Sequence, residues 1–450
     1  MLRHLVRSLF LVLGSLGLVI LWPSGRAQGV PSFGRQIGLE CSACHTVWPE
    51  LTPYGRTFKM TGYVMSKSQK IYEFPPPLSG LFQASFTHTG KPQPDATAPF
   101  NSSANDNVNL PQEASVYYAG KIIGKLGAFM QFTYDGVSNA FIVDMTDIRF
   151  ADTAKLGGKP LVYGASFNNA PTMQDVWNTG PVWGFPFASS SVAPTPTAAA
   201  VIDGTLNQQV GGLGLYGFWN NLLYAEVNFY RTAANGYPQF LSGGTHVTSL
   251  VDGVAPYWRL FLQHQWKNQS VMLGHYGMVT RIFPEGETRG SSDTFTDIAF
   301  DAQYQYITKK HRFSVASTWI HEIQNLGASY ALGNTGNRSN NLDTFRINFN
   351  YSYRCPYGTF GGNFAYFNTF GSRDEVLYAP DPVSGSRNGL PNSDGFIIQG
   401  IYVPPKWEQA KIVVQYTIYN SFNGARTNYD GFGRNAGDNN TLYILTWLMF

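Results

Sequence analysis

Five residues near the start of the chain, 41–45 (CSACH), have the C-x-x-C-H spacing that attaches a c-type haem. Two thiols at this spacing can each add to one vinyl group of a porphyrin, and His45 follows in position to bind the iron. A zinc site would need two further ligands at matching spacing, and the only other cysteine is Cys355. A thiol redox pair would need a βαβ context, which the flanks lack. The motif therefore predicts one covalent haem c on Cys41 and Cys44, with His45 as an axial ligand.

A six-coordinate haem needs a second strong ligand, and methionine there raises the reduction potential relative to histidine. Met60 and Met65 are the nearest methionines after His45. Met65 is the favoured candidate, because Gly62 lets the chain turn back over the haem. Met60 is the alternative, and core filling is the ordinary role of either methionine. Histidines that could reach in from the rest of the chain are His88, His246, His264, His275, His311 and His321.

Three basic residues in the same stretch, Arg35, Arg56 and Lys59, are candidates for binding the haem propionates. Arginine and lysine pair well with carboxylates. Solvation by water is the alternative for each of them, and the sequence leaves both roles open.

The segment that carries these residues, 28–77, is too short to bury a porphyrin by itself. Very small domains need a covalent or metal staple, or a neighbour to pack against. Thr52 and Pro53 predict the start of a helix over 54–60, since threonine is a good N-cap and proline suits the first helical position. Phe74 and three prolines then predict a stiff linker. The expected neighbour is the remainder of the chain, 78–450.

Residues 1–27 read as a secretory signal peptide. Arg3, His4 and Arg7 form a basic start, an apolar run covers 9–21, and a small-x-small cleavage site ends at Ala27. Export suits a c-type haem, which bacteria attach outside the cytoplasm. Removing the signal lowers the basic residues from 31 to 28, against 28 acidic residues. The neutral mature chain gives no indication of nucleic-acid binding.

The composition is typical of an outer-membrane β-barrel. Aromatic residues make up 15% and charged residues only 13%, whereas average globular proteins have about 25% charged residues. After residue 27, no apolar stretch approaches the ~20 residues of a spanning helix. Apolar and polar residues instead alternate, as in strands with one face toward lipid and one toward a polar lumen. Clear examples are 223–230, 297–306 and 345–354.

About sixteen antiparallel strands are predicted over 78–450. Their starts lie near residues 79, 110, 124, 140, 158, 205, 221, 255, 269, 293, 310, 341, 357, 392, 408 and 439. Short turns alternate with long polar loops, as in barrels with short periplasmic turns and long external loops. The even count places both ends of the barrel, and therefore the entry of the haem segment, on the periplasmic side. A soluble sandwich also alternates, but the chain ends on Phe450, like the terminal signal for outer-membrane assembly.

The longest loop, 169–204, is also the most apolar. It contains Trp177, Trp183, Phe185 and Phe187, which need cover from water. Folding of the loop into the lumen against the haem would shield these side chains from water. A packed rim or a subunit contact would shield them nearly as well.

Taken together, these parts resemble the fused cytochrome–porin family of outer-membrane iron oxidases. The resemblance is strongest over 33–38 (FGRQIG), 41–45 (CSACH) and 49–63, with its Tyr54-Gly55-Arg56 and Phe58-Lys59. Over the barrel it is architectural. Gly34 and Tyr54 stand where many relatives have Ala and Phe, which are mild departures. The resemblance implies a monohaem segment ahead of a sixteen-stranded outer-membrane barrel.

That resemblance implies electron transfer across the outer membrane of a Gram-negative bacterium. The expected donor is extracellular Fe(II), and the expected acceptor is a soluble periplasmic cytochrome. Two alternatives remain: a diffusion porin with a haem-bearing plug, and a soluble periplasmic haem sensor or peroxidase with a β-sandwich. Carboxylates suit Fe(II), and the acidic loop residues that could attract it are Asp175, Asp203, Asp252, Glu285, Glu287, Asp374 and Glu375.

Overall fold

A computed structural model describes residues 30–64, 76–94, 97–99, 102–232, 247–286 and 290–450. The predicted signal peptide, Met65, His246 and Glu287 lie outside these residues. Within them the chain forms a β-barrel with a short helical segment ahead of it.

In the described part of the chain, the α-helices are α1 (Pro31–Ile37), α2 (Cys41–Cys44), α3 (Pro53–Met60) and α4 (Gly327–Leu332). Short helical turns cover Val201–Thr205, Pro284–Gly286 and Ala436–Asn439. The strands are β1 (Leu78–Thr89), β2 (Asn107–Ile123), β3 (Leu126–Asp135), β4 (Ala140–Leu156), β5 (Lys159–Asn168), β6 (Val210–Trp219), β7 (Leu223–Thr232), β8 (Ala255–Trp266), β9 (Gln269–Ile282), β10 (Asp293–Ile307), β11 (His311–Asn325), β12 (Ser339–Cys355), β13 (Gly358–Gly371), β14 (Ser393–Val403), β15 (Ala410–Ser421) and β16 (Thr441–Met449).

The barrel closes by antiparallel pairing of the first strand with the last. β1 pairs with β16 from Leu81 opposite Met449 to Thr89 opposite Thr441, and every other strand pairs with its neighbours in sequence. The prediction of about sixteen antiparallel strands is confirmed. The alternative of a soluble β-sandwich is wrong, because a closed ring of strands is a single sheet without edges.

Strand starts follow the prediction to within a few residues. The largest difference is at β6, which begins at Val210 and not near 205. The chain before it, Val201–Thr205, makes a helical turn instead. Its backbone N–H groups at Val201 and Ile202 donate to carboxylates on β11 and β10. A tertiary contact thus replaces the expected strand extension.

Alternating burial confirms which face of each strand meets the lumen. In β10, Asp297, Asp301 and Gln305 are buried, whereas Phe300 and Tyr306 are exposed. On this strand, polar side chains therefore point inward and large apolar ones outward. The outward set continues around the barrel in residues such as Phe82, Val116, Phe132, Leu213, Leu215, Phe229, Leu260, Leu262, Leu273, Phe349, Phe364, Ile398 and Val414. Among the described residues, no helix is both long enough and apolar enough to span a membrane.

The helical segment packs inside the barrel. Thr52 caps α3 as predicted, its hydroxyl accepting the Gly55 N–H at 3.2 Å, with Pro53 at the first helical position. Helix α1 lies against β1 and β2, where the Ser32 N–H donates to the Ser79 hydroxyl. The apolar side chain of Phe33 packs on Phe58 of α3. The helical segment and the barrel wall therefore pack around one common interior.

Loop 169–204 also folds into the lumen. Trp177 is fully buried, and the guanidinium of Arg56 lies 3.5 Å from the centre of its ring. Asp175 in the same loop pairs with Arg259 of β8 at 3.0 Å. The apolar loop thus gains cover from the helical segment on one side and the barrel wall on the other.

Candidate haem site

A cavity of about 420 Å³ lies between the helical segment, loop 169–204 and the wall formed by β1 to β4 and β16. This volume falls in the range of small-molecule and cofactor sites, roughly 300–1,000 Å³. Its walls are largely apolar and include many aromatic rings. The aromatic rings that line it are Phe33, Trp48, Phe58, Tyr63, Tyr117, Phe129, Trp183, Phe187 and Trp447.

Cys41, Cys44 and His45 all line this cavity. Helix α2 spans the two cysteines and so places both on one short turn, with His45 immediately after it. Burial raises the pKa of the Cys44 thiol to about 11. A raised pKa is opposite to the low value of a nucleophilic redox thiol. In the described part of the chain, no three His, Cys, Asp or Glu side chains are grouped to hold a metal ion.

His45 is held in the orientation of a metal ligand. Its Nδ1 lies 3.3 Å from the carbonyl oxygen of Pro49, to which a protonated Nδ1 donates. That hydrogen bond fixes the tautomer whose other nitrogen, Nε2, is free of a proton and able to bind iron. Burial lowers the pKa of His45 to about 4, so the imidazole is neutral at neutral pH, as a ligand must be.

Barrel residues that the sequence did not single out hold the backbone of the motif. Arg312 of β11 donates to the carbonyls of Ser42, at 3.1 Å, and His45, at 2.5 Å. The Ser42 N–H donates to Glu408, which also pairs with Arg354 of β12 at 2.6 Å. The available sequence signal for Arg312 and Arg354 was the alternating pattern, which places both side chains on the lumen-facing side of their strands. Nothing in the sequence connected them to residues about 300 positions earlier.

Helix α3 packs directly against α2. The Thr52 N–H donates to the Cys44 carbonyl at 2.8 Å, and its hydroxyl donates to the Ala43 carbonyl at 2.7 Å. A Cβ at Gly55 would lie 2.3 Å from the Cys44 carbonyl oxygen. Only glycine permits this contact, which explains the Tyr54-Gly55-Arg56 sequence at this point.

Of the three basic candidates, Lys59 lines the cavity and the other two do not. Its Nζ donates to the carbonyls of Met173 and Asp175 at 2.8 and 2.9 Å and lies 4.3 Å from the Trp183 ring centre. Burial lowers its pKa to about 7. Lys59 is thus placed to meet a cavity occupant.

Arg56 and Arg35 point elsewhere. Arg56 is buried against the opposite wall, where it donates to Gln305 at 2.6 Å and Ser270 at 3.2 Å. Arg35 donates to the carbonyl of Leu78. The structure gives these two residues structural partners and does not bring them to the cavity.

The predicted distal ligands are also separated from the motif. Met60 is 1% exposed, but it packs with Trp177 and Tyr216 and does not line the cavity. None of the described barrel histidines lines it either. They have partners of their own: for example, His88 pairs with Asp106 and His321 with Asp343. Met65 lies outside the described residues.

Most acidic loop residues proposed to attract Fe(II) are committed to internal partners. Asp203 pairs with Arg346 at 2.5 Å, and Asp252 lies 3.7 Å from Arg281. Backbone N–H groups at Gly336, Asn337, Val376 and Leu377 donate to Asp374. These carboxylates stabilise loops.

The donor set fits a covalently attached haem. Two thiols and one anchored neutral imidazole meet in an apolar, aromatic cavity of suitable volume. When bound there, haem would be held by Cys41, Cys44 and His45, with Lys59 beside it.

No protein-family model matches the chain, and no curated protein matches it. Solved outer-membrane proteins have a similar barrel. OmpT of Vibrio cholerae has 10% identity, covering 83% of this chain and 96% of that one, with a TM-score of 0.43. The anion-selective porin from Comamonas acidovorans has 11% identity, coverage of 83% and 98%, and a TM-score of 0.45. The channel DcaP of Acinetobacter baumannii has 11% identity, coverage of 83% and 96%, and a TM-score of 0.43. The likeness concerns the porin-like barrel fold alone.

Proposed function

We propose that this protein is an outer-membrane electron-transfer protein that carries one haem c inside its barrel. The observation that supports this most is the single cavity lined by Cys41, Cys44 and His45 within a closed ring of strands. A C-x-x-C-H motif on a surface loop would be a weak signal. Here both thiols and the imidazole line one largely apolar cavity inside the barrel.

The exterior of the barrel supports a location in the outer membrane. Closed barrels satisfy every strand hydrogen bond internally, which is a condition for crossing lipid without helices. Large apolar side chains such as Leu213, Leu215 and Leu273 are more than 60% exposed on outward strand positions. A continuous exposed apolar surface of this kind marks contact with lipid or a partner.

The residues of the motif have separate roles. Cys41 and Cys44 would hold haem through thioether bonds to its two vinyl groups. His45 would offer Nε2 to the iron while the Pro49 carbonyl holds Nδ1. Phe33, Phe58 and Trp183 give the cavity apolar walls, and a low-polarity surrounding adjusts the potential of a metal centre.

Electron exit toward the periplasm is supported by the position of the motif. Its backbone contacts Arg312 near the start of β11 and Glu408 before β15, and Arg354 near the end of β12 donates to the Ser42 hydroxyl. All three residues lie at the end of the barrel with short turns. Short turns face the periplasm in outer-membrane barrels. A soluble periplasmic cytochrome is the proposed acceptor.

Extracellular Fe(II) is the proposed donor, as the resemblance to cytochrome–porin iron oxidases implies. The bound haem would supply one-electron redox chemistry, taking up the electron that Fe(II) loses on becoming Fe(III). Ferric products are poorly soluble near neutral pH, so a cell gains by leaving them outside and importing electrons alone.

The test begins with haem attachment. Wild-type protein and a Cys41→Ser/Cys44→Ser variant are produced in a host that attaches haem c, and denaturing gels are stained for haem. Staining of the wild type and its loss in the variant are expected. Oxidised wild type in detergent is then mixed with Fe²⁺, and reduction is followed by absorbance. An unstained wild type would overturn the haem proposal. Reduction by a small chemical reductant but not by Fe²⁺ would overturn the choice of donor.

A second candidate is a diffusion porin in which the haem segment is a plug. It is favoured by the barrel fold and by a polar cavity of about 570 Å³ at the short-turn end, lined by Asn220, Gln263 and Lys267 among others. Conductance across planar bilayers separates the two. Electron transfer predicts little ion flow through wild-type protein, because the helical segment and loop 169–204 both lie in the lumen, where Arg56 donates to Gln305 of β10 and Asp175 pairs with Arg259 of β8. A steady conductance of porin size would favour the diffusion porin.

A further inference from the structure

We infer that Met145 of β4 is the second axial ligand of the haem. This inference rests on the proposed covalent haem and adds a ligand that lies outside the cytochrome-like segment. Of the methionines in the described residues, Met145 and Met449 line the cavity that also contains His45. Thioether sulfur is a known axial ligand of haem iron in electron-transfer cytochromes.

A bulge in the sheet brings Met145 into the cavity. The β3–β4 register shifts between Met130 and Phe132, so that one residue of β3, Gln131, lies opposite two residues of β4, Asp144 and Met145. In a regular strand, consecutive side chains point to opposite faces. Here both Asp144 and Met145 line the cavity. Bulges next to functional sites re-aim side chains in this way.

The surroundings of Met145 on β4 are polar on one side and apolar on the other. Asp147 and Arg149, further along β4, are fully buried and pair with each other at 2.9 Å, and Asp147 accepts the Tyr63 hydroxyl at 2.6 Å. These polar contacts lie on the same strand as Met145. The Met145 side chain packs on the cluster that contains Phe58, Tyr63 and Phe129. It therefore faces the apolar interior of the cavity.

Met145 and Met449 lie at different positions around the barrel. His45 is backed by residues of β11 to β15, including Arg312 and Lys411. β4 and β12 are eight strands apart in the ring of sixteen, so Met145 lies on the wall of the barrel opposite β12, one of the strands behind His45. Met449 lies on β16, next to β15, on the side of the lumen where Trp48 meets Trp447. Two axial ligands must approach iron from opposite sides, which favours Met145.

The test compares Met145→Leu with the matched control Met449→Leu in haem-loaded protein. Leucine keeps the volume and apolar character but removes the sulfur. In Met145→Leu we expect loss of the sulfur-to-iron charge-transfer band and a lower reduction potential, with haem staining on denaturing gels unchanged. Met449→Leu is expected to keep both the band and the potential.

A second variant keeps the test decisive if Met145→Leu folds poorly. Met145→His supplies a nitrogen ligand at the same place and should give six-coordinate iron without the sulfur band and with a lower potential. Retention of the band in both Met145 variants overturns the inference, as does its loss in Met449→Leu or Met65→Leu instead. Wild-type haem that lacks the band altogether also overturns it. Wild-type protein without covalent haem would overturn the proposed function itself, which is a distinguishable result.

Discussion

Lys59 carries a buried ammonium whose hydrogen bonds go to the backbone carbonyls of Met173 and Asp175. Burial lowers its pKa to about 7 from the 10.5 of an exposed lysine. Below pH 7 the folded chain bears the cost of a buried charge. Between the two pKa values the unfolded chain holds one more proton than the folded chain, so the free energy of unfolding rises with pH there.

In the haem-free Cys41→Ser/Cys44→Ser background, the protein with Lys59 should therefore gain stability relative to Lys59→Met as pH rises from 7 toward 10. Urea midpoints in detergent, measured for both variants at each pH, give this difference. If a propionate lies beside Lys59 in haem-loaded protein, it favours the ammonium and flattens the dependence. An equal difference at all pH values in the haem-free pair would contradict the prediction.

Helix α3 depends on Gly55 for its distance from α2. Because a Cβ there would lie 2.3 Å from the Cys44 carbonyl oxygen, Gly55→Ala must push the two helices apart. Overpacking of this kind costs roughly 1–3 kcal/mol. We expect a lower denaturation midpoint and less haem attached per barrel. The control is Gly327→Ala in α4, where no atom lies within 4 Å of the added Cβ; equal effects of the two changes would be evidence against close α2–α3 packing.

Loop 169–204 depends on Asp175 for its place in the lumen. Backbone N–H groups of Trp177, Thr179 and Gly180 donate to its carboxylate at 2.9 Å, and Arg259 pairs with it. Asp175→Ala leaves Asp301 as the remaining carboxylate partner of Arg259, and breaking a buried ion pair typically costs roughly 3–5 kcal/mol.

The expected result for Asp175→Ala is faster cleavage of the loop by a protease that cuts after aromatic residues, since the peptide bonds after Trp177 and Trp183 become accessible. Glu375→Ala is the control, because Glu375 pairs with Arg373 on the exposed surface and such pairs contribute little. Equal cleavage rates for wild type and Asp175→Ala would show that other contacts hold the loop.

The molecule as a whole is stabilised by closure of the sheet. The last strand returns to the first, and even the terminal residue joins, since the Phe450 N–H donates to the Gly80 carbonyl at 3.0 Å. A closed sheet leaves no strand edge at which unfolding could begin. Unheated protein in cold denaturing detergent should therefore migrate differently from boiled protein on a gel. Identical migration of the two samples would contradict a closed barrel.

Polar contacts across the lumen also hold the parts of the molecule together. Arg312, Arg354 and Glu408 hold the haem-attachment motif from one side, and Lys59 ties the helical segment to the loop. Segment, loop and wall are thus linked by polar contacts that cross the interior. This arrangement explains how so short a segment could enclose a porphyrin: the barrel supplies most of the walls.

The sequence alone determined the parts governed by local rules. Period-two alternation and short turns gave the sixteen strands and most of their starts, since side chains on a strand must alternate between lipid and lumen. Thr52 and Pro53 gave the start of α3. The spacing of Cys41, Cys44 and His45 gave the predicted haem, because two thioethers and one axial ligand require it.

Only the tertiary structure decided which residues share the cavity. Lys59 lines it and Arg56 does not, although they are three residues apart on one helix, because Arg56 faces Gln305 across the lumen. Arg312 and Glu408 reach the motif through strand register and barrel closure. The bulge that turns Met145 inward is an exception to the alternation from which the strands were predicted. Local periodicity specifies the strands, but contacts between residues hundreds of positions apart are set by how the sheet closes.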